Sequence, residues 1–195
     1  MRRRYEFWIC ATALFKIGAV LIPATLQLMP KDIVYRCNAA DVKMLVCIDD
    51  AGVPENVEAA LPKCETVTDK VIVEKPRDGW LFFDDEIAKY PDTFERPAGD
   101  EATKVSDRML MYFTSGTTGK GKGVMLSTRN ILDDMTNGIY LFNMPEKTLF
   151  ALPAHHTFGS TVNLIGHYMQ GLEIYISSGP RYILNELKQE DPTHL

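Results

Sequence analysis

The sequence predicts an α/β fold in three layers, a mostly parallel sheet with helices on both faces. Three observations predict it. Helix-like and strand-like segments alternate along 195 residues with no internal repeat, and strand–helix–strand order returns parallel strands. The run Val42–Ile48 is almost continuously apolar and Arg108–Phe113 reads as a second buried strand; such runs belong to strands covered on both sides. The composition, 46% hydrophobic and 24% charged, suits a packed domain. It excludes a disordered chain, a collagen-like repeat and a disulfide-rich miniprotein.

The elements follow in order. An apolar helix is expected over Tyr5–Ile17, running into a short strand at Val20–Ile22. Pro30 opens an amphipathic helix that ends near Ala40, with Ile33, Val34 and Cys37 on its apolar side. The strand Val42–Ile48 stops at Asp49-Asp50, and a short helix at Pro54–Leu61 precedes a strand at Lys70–Val73. Residues 74–106 carry Pro76, Gly79, Pro91, Pro97 and Gly99 and read as irregular connection, apart from a helix at Trp80–Lys89. After the strand at Arg108–Phe113 come a glycine-rich loop and a strand at Gly123–Leu126. Ser127 or Thr128 can then cap a helix over Arg129–Leu141 by accepting an orphan backbone N–H. Strands at Thr148–Leu152 and Leu172–Ile176 alternate with helices at Gly159–Gln170 and Tyr182–Glu190. The pattern begins inside a helix and stops at Asp191–Leu195. We therefore expect a single incomplete domain over residues 1–195, part of a larger fold.

Charge and cysteine usage narrow the classes. Twenty-six acidic against 21 basic residues give a net charge of -5, which speaks against sequence-independent nucleic-acid binding through clustered cations. The four cysteines, at 10, 37, 47 and 64, form no CxxC pair, and no Asn-x-Ser/Thr sequon occurs. No metal site is expected from them; a reducing, cytoplasmic setting fits, with the thiols as small core residues. Met1-Arg2-Arg3-Arg4 before Phe7–Phe15 has the outline of a signal peptide, but Lys16 interrupts it and no small-x-small cleavage site follows. No apolar run approaches the ~18 residues of a spanning helix, so no membrane span is expected.

The segment that carries chemistry is Thr114-Ser115-Gly116-Thr117-Thr118-Gly119-Lys120-Gly121-Lys122-Gly123. Glycines let backbone N–H groups approach a ligand without Cβ interference. Hydroxyls and N–H groups donate to phosphate oxygens, and Lys120 and Lys122 neutralise phosphate charge. A polyphosphate is the natural ligand. Residues 116–122 also fit the first seven positions of the P-loop, but Gly123 stands where that motif needs a Mg²⁺-binding hydroxyl. A P-loop also runs directly into a helix, whereas Gly123–Leu126 reads as extended.

Phe113–Val124 closely resembles the phosphate-loop signature of the adenylate-forming superfamily, [YF]-T-S-G-T-T-G-x-P-K-G-V, which includes acyl-CoA synthetases, luciferases and peptide-synthetase adenylation domains. Gly121 stands at the proline of that pattern, a change expected to loosen the loop. Leu152-Pro153-Ala154-His155-His156-Thr157-Phe158-Gly159 resembles the family's L-P-x-x-H-x-x-G segment. By that resemblance His156, Phe158 and Gly159 belong to the carboxylate pocket, with Phe158 as a wall. A zinc site at His155-His156 is disfavoured, since neighbouring histidines do not easily reach one ion together. Residues 8–23 and 30–36 are similar, more diffusely, to the early helix, strand and next helix of medium-chain acyl-CoA synthetases.

The resemblance implies an ATP-dependent carboxylate–CoA ligase acting on a small-molecule, fatty acid-like carboxylate. Its cofactors would be ATP, Mg²⁺ and coenzyme A, and the chemistry an acyl-AMP formed first and passed to the thiol. Attack of a carboxylate on the α-phosphorus needs alignment and charge neutralisation more than covalent catalysis. Thr114, Ser115, Gly116, Thr117, Thr118, Gly119, Lys120 and Lys122 would then hold the β- and γ-phosphates. The family's Tyr-Gly-x-Thr-Glu segment, its ribose-binding Asp and its C-terminal lid domain with the catalytic Lys have no counterpart in these 195 residues. The catalytic set is thus expected to be incomplete. Exposed sheet edges would favour self-association. Two alternatives remain open from the residues alone: a P-loop-like nucleotide hydrolase, and a non-catalytic module binding an anion or a partner.

Overall fold

The computed structural model describes residues 4–114, 121–141 and 146–193. In chain order these form α1 (Tyr5–Lys16), α2 (Pro30–Ala39), β1 (Met44–Ile48), α3 (Val53–Ala60), β2 (Asp69–Val73), β3 (Leu81–Phe82) and α4 (Phe83–Ile87). They continue with β4 (Arg108–Thr114), β5 (Lys122–Ser127), α5 (Thr128–Leu141), β6 (Lys147–Phe150), α6 (Thr157–Ser160), α7 (His167–Met169), β7 (Glu173–Ile176) and α8 (Ile183–Glu190). The chain divides into two compact units. One is Ala24–Glu95; the other joins the residues up to Pro23 with Arg96–Leu195.

In the Ala24–Glu95 unit, β1, β2 and β3 make a parallel sheet in that order. Met44 pairs with Asp69 and Ile48 with Val73. β2 is buried over Val71, Ile72 and Val73, as a central parallel strand should be. Ile33 and Cys37 of α2, Val57 and Ala60 of α3, Cys47, Ile72 and Trp80 form the core. Pro30 sits in the first turn of α2, where its missing N–H costs nothing.

The helix expected at Trp80–Lys89 is shortened to Phe83–Ile87, and Leu81-Phe82 becomes a strand beside β2. The reason lies in Trp80. Its indole N–H donates to Glu58 Oε1 at 2.8 Å, and the Lys70 ammonium stands 4.9 Å over its ring. Arg77 donates to the same carboxylate at 3.0 and 3.2 Å. This clamp fixes 77–80 as a turn, closed by Trp80 N–H donating to Arg77 O at 3.1 Å, so the helix begins only where Asp84, Asp85 and Glu86 can occupy its first turn.

In the second unit, the strand expected at Val20–Ile22 reduces to a single parallel bridge, Leu21 to Leu110. Leu21 N–H donates to Met109 O and Met111 N–H donates to Leu21 O, both at 3.0 Å. Pro23 lacks the donor for a further rung. β4 and β5 are antiparallel neighbours across the glycine-rich loop, whereas the other strand pairs among the described residues are parallel. Ile131 and Met135, one turn apart on α5, are buried. Ser127 caps that helix: Asn130 N–H donates to its Oγ at 3.2 Å, and Ser127 N–H donates to Asn130 Oδ1 at 3.0 Å. Trp8 of α1 meets Phe150 of β6 edge-on at 4.7 Å.

Candidate nucleotide and carboxylate site

β4 and β5 present the loop. Leu110 and Tyr112 point inward and are buried, while Thr114 at the strand end is exposed. The register puts Thr114 opposite Lys122 at the mouth of the hairpin. Thr114 Oγ1 lies 3.5 Å from Lys122 O, too long to satisfy a hydroxyl. Lys122 is exposed and, among the described residues, its ammonium forms no ion pair. An unspent hydroxyl facing an unpaired cation suits a phosphate chain. Ser115, Gly116, Thr117, Thr118, Gly119 and Lys120 lie outside the described residues.

Gly121 is shaped by close approach. A Cβ built there would stand 2.8 Å from the Thr114 carbonyl oxygen. That contact accounts for glycine here rather than a residue with a side chain.

The histidine segment follows β6. Pro153 O accepts from His156 N–H at 3.1 Å, closing a tight turn. His156 then stands as the N-cap residue of α6, with extended backbone. Its side chain is exposed, as is Phe158, whereas Gly159 and Ser160 are buried. A Cβ on Gly159 would collide with the Pro153 carbonyl oxygen. The glycine at this point of the motif is therefore needed to fold the turn that presents His156. Ser160 donates from N and from Oγ to His156 O, each at 2.9 Å.

The two motifs meet through Tyr112 and Ser160, whose hydroxyls are hydrogen-bonded in the interior. Burial pushes the Tyr112 phenol up, and its bond to Ser160 offsets part of that rise. The phenol thus stays protonated and available as a donor. Sequence reasoning did not single out either residue; a hydroxyl two positions before the loop, Tyr112 before Thr114, was the available signal.

The expected helix Gly159–Gln170 is not uniform. Between α6 and α7 the backbone widens to a π-helix over Thr161–Gly166, a distortion found often beside functional sites. A separate cleft of about 520 Å³ is lined by Trp8, Phe15, Ile131 and Tyr168, among others. Thr114, Lys122 and His156 do not line it.

A family model, AMP-binding enzyme, matches residues 1–195. The chain belongs to the AMP-binding enzyme family. Among curated relatives, the mitochondrial acyl-coenzyme A synthetase ACSM3 of Mus musculus is 39% identical over 118 residues, 60% of this chain and 19% of that protein. The mitochondrial acyl-coenzyme A synthetase ACSM5 of Rattus norvegicus is 32% identical over 151 residues, 74% of this chain and 24% of that protein. The chain thus spans about a fifth to a quarter of the length of these relatives.

Solved structures agree on the fold. The anthranilate CoA ligase AuaEII, in complex with anthranoyl-AMP, superposes with a TM-score of 0.87 at 20% identity, over 99% of this chain and 38% of that one. The inhibitor-bound N-terminal domain of FACL13 from Mycobacterium tuberculosis gives 0.82 at 20% identity, over 97% of this chain and 46% of that one. The expectation of an α/β fold with parallel strands and helices therefore holds, and it matches the N-terminal domain of adenylate-forming enzymes. No helix among the described residues is long and apolar enough to cross a membrane.

Proposed function

We propose that this chain supplies the triphosphate grip of an ATP-dependent acyl-CoA synthetase acting on a fatty acid-like carboxylate. The observation that carries the reading is Thr114 opposite Lys122, whose ammonium forms no ion pair among the described residues, across the β4–β5 hairpin, in a sequence that fits the AMP-binding family's phosphate loop. Thr114, Ser115, Gly116, Thr117, Thr118, Gly119, Lys120 and Lys122 would hold the β- and γ-phosphates. His156, Phe158 and Gly159 would form part of the carboxylate pocket. A carboxylate oxygen attacks the α-phosphorus and pyrophosphate leaves; the coenzyme A thiol then loses its proton and attacks the acyl carbon of the adenylate, forming the thioester and releasing AMP. Mg²⁺ bound with ATP would neutralise phosphate charge; this chain's part is to orient the phosphates with hydroxyls, backbone N–H groups and Lys122.

The 195-residue chain alone is expected to be catalytically incomplete, because the Thr, Glu, Asp and Lys that complete the family's chemistry have no counterpart in it. Two measurements test the reading. Binding of ATP with Mg²⁺ should be detectable by titration calorimetry and should weaken roughly tenfold or more in Lys122→Ala, since one charge-assisted contact contributes about 1.5–3 kcal/mol. Unchanged affinity in that variant would remove the loop from the site. Pyrophosphate release with a panel of fatty acids should stay at background. Turnover at ordinary enzyme rates would show the chain to be a complete catalyst. A P-loop hydrolase would instead split ATP without any carboxylate. The strand at Lys122–Ser127, where that motif needs a helix, speaks against it.

A further inference from the structure

We propose that Cys37 and Cys64 form a reversible intrachain disulfide that fastens the end of α2 to the turn after α3. This lies outside the ligase reading and concerns the Ala24–Glu95 unit alone. Cys37 sits in the last turn of α2 and Cys64 follows the short 3₁₀ turn Leu61–Lys63. Both belong to one apolar core.

The backbone around them is clamped by the intervening side chain of Asn38. Its Nδ2 donates to Lys63 O at 2.9 Å, and its Oδ1 accepts from Glu65 N–H at 3.0 Å. One amide therefore holds the residues on both sides of Cys64 against the residue after Cys37. The Cys64 thiol, packed against the core that contains Cys37, donates to Ala60 O at 3.4 Å. A disulfide needs nearby backbones, and the Asn38 bridge holds these two together within one core.

Access and reactivity assign the order of events. Cys64 is half-buried, whereas Cys37 is 2% exposed. Of this pair, only Cys64 is open to a small disulfide such as oxidised glutathione. The Cys64 thiolate attacks it, expelling one glutathione thiolate and leaving a mixed disulfide. The Cys37 sulfur then attacks the Cys64 sulfur, forming the Cys37–Cys64 bond and expelling the second glutathione thiolate. The two protons lost by the cysteines end on the two glutathiones, which carry the two electrons away. Burial pushes the Cys37 thiol up to about 12, so the second step is slow at neutral pH and quickens as pH rises. Cys47 lies in the same core, 8% exposed, and is likewise pushed up, to about 11, by burial. It has no exposed partner through which oxidation could enter.

The test uses the full chain with oxidised glutathione at pH 7.5 and 8.5, acid quench and tryptic mapping by mass spectrometry. The expected product has lost two hydrogens and contains peptide Cys37–Lys43 joined to Cys64–Lys70. It should form about tenfold faster at the higher pH and revert with dithiothreitol. Oxidation should raise the melting temperature of the wild-type chain and leave that of Cys64→Ser unmoved; Cys10→Ser should crosslink like the wild type. A stable glutathione adduct on Cys64 with Cys37 free would overturn the proposal. So would a Cys37–Cys47 link, or thiols that stay unmodified at both pH values.

Discussion

Tyr112 and Ser160 share a buried hydrogen bond that joins the strand leading into the phosphate loop to the helix that follows His156. Ser160 in turn holds His156 O through both its amide and its hydroxyl. Position is thus transmitted from Thr114 to His156 through three residues. The expected consequence is energetic coupling. Tyr112→Phe and Ser160→Ala should each destabilise the chain by about 1 kcal/mol, measured by urea unfolding. The double variant should cost less than the two singles together. Strict additivity would mean that the bond does not hold the two segments.

Two glycines in the site are expected to resist substitution. Gly159→Ala drives a Cβ into the Pro153 carbonyl, so the turn carrying His156 must open. We expect a loss of about 1–3 kcal/mol and altered chemical shifts at His156 by NMR. Gly121 stands at the proline of the family pattern, and restoring that proline should not help. Its Cβ would meet Thr114 O at 2.8 Å, so Gly121→Pro should lower the melting temperature instead of raising it. A rise would show that the hairpin mouth can shift freely.

The clamp around Trp80 gives the Ala24–Glu95 unit an acid dependence. Hydrogen bonds from Arg77 and then from Trp80 hold the Glu58 carboxyl below its ordinary value. A lowered carboxyl stabilises the fold fully above the unfolded value, about 4.3. That stabilisation fades as pH falls through the lower folded value. Trp80 fluorescence, read in a Trp8→Phe background, should therefore report unfolding that becomes easier below about pH 4.3. In Glu58→Gln the same slope should be shallower. An unchanged slope would place the acid sensitivity elsewhere.

Much of the fold was legible because it is written in short-range patterns. The run at Met44–Ile48 is apolar enough to be a covered strand, and Pro30 and Ser127 mark helix starts by local chemistry. What was hidden depends on residues far apart in sequence. Trp80 is kept out of a helix by Glu58, 22 positions earlier. Leu21 gains a strand partner only at Leu110. In the site, the loop residues could be read from glycine, hydroxyl and lysine order. Tyr112 and Ser160 could not, because their pairing spans 48 positions.

The β5 strand is expected to drive self-association. Four consecutive residues, Lys122 to Met125, are exposed, so both faces of the strand end are open to solvent. Val124 is 43% and Met125 51% exposed. Among the described residues, β5 is hydrogen-bonded only to β4, which leaves its other edge free to accept a strand. Sedimentation velocity should therefore show a weight that rises with concentration. Val124→Lys places a charge on that edge and should return the chain towards monomer without unfolding it, because the position is already half in water. A monomer at every concentration, or association untouched by Val124→Lys, would put the sticky surface somewhere other than this edge.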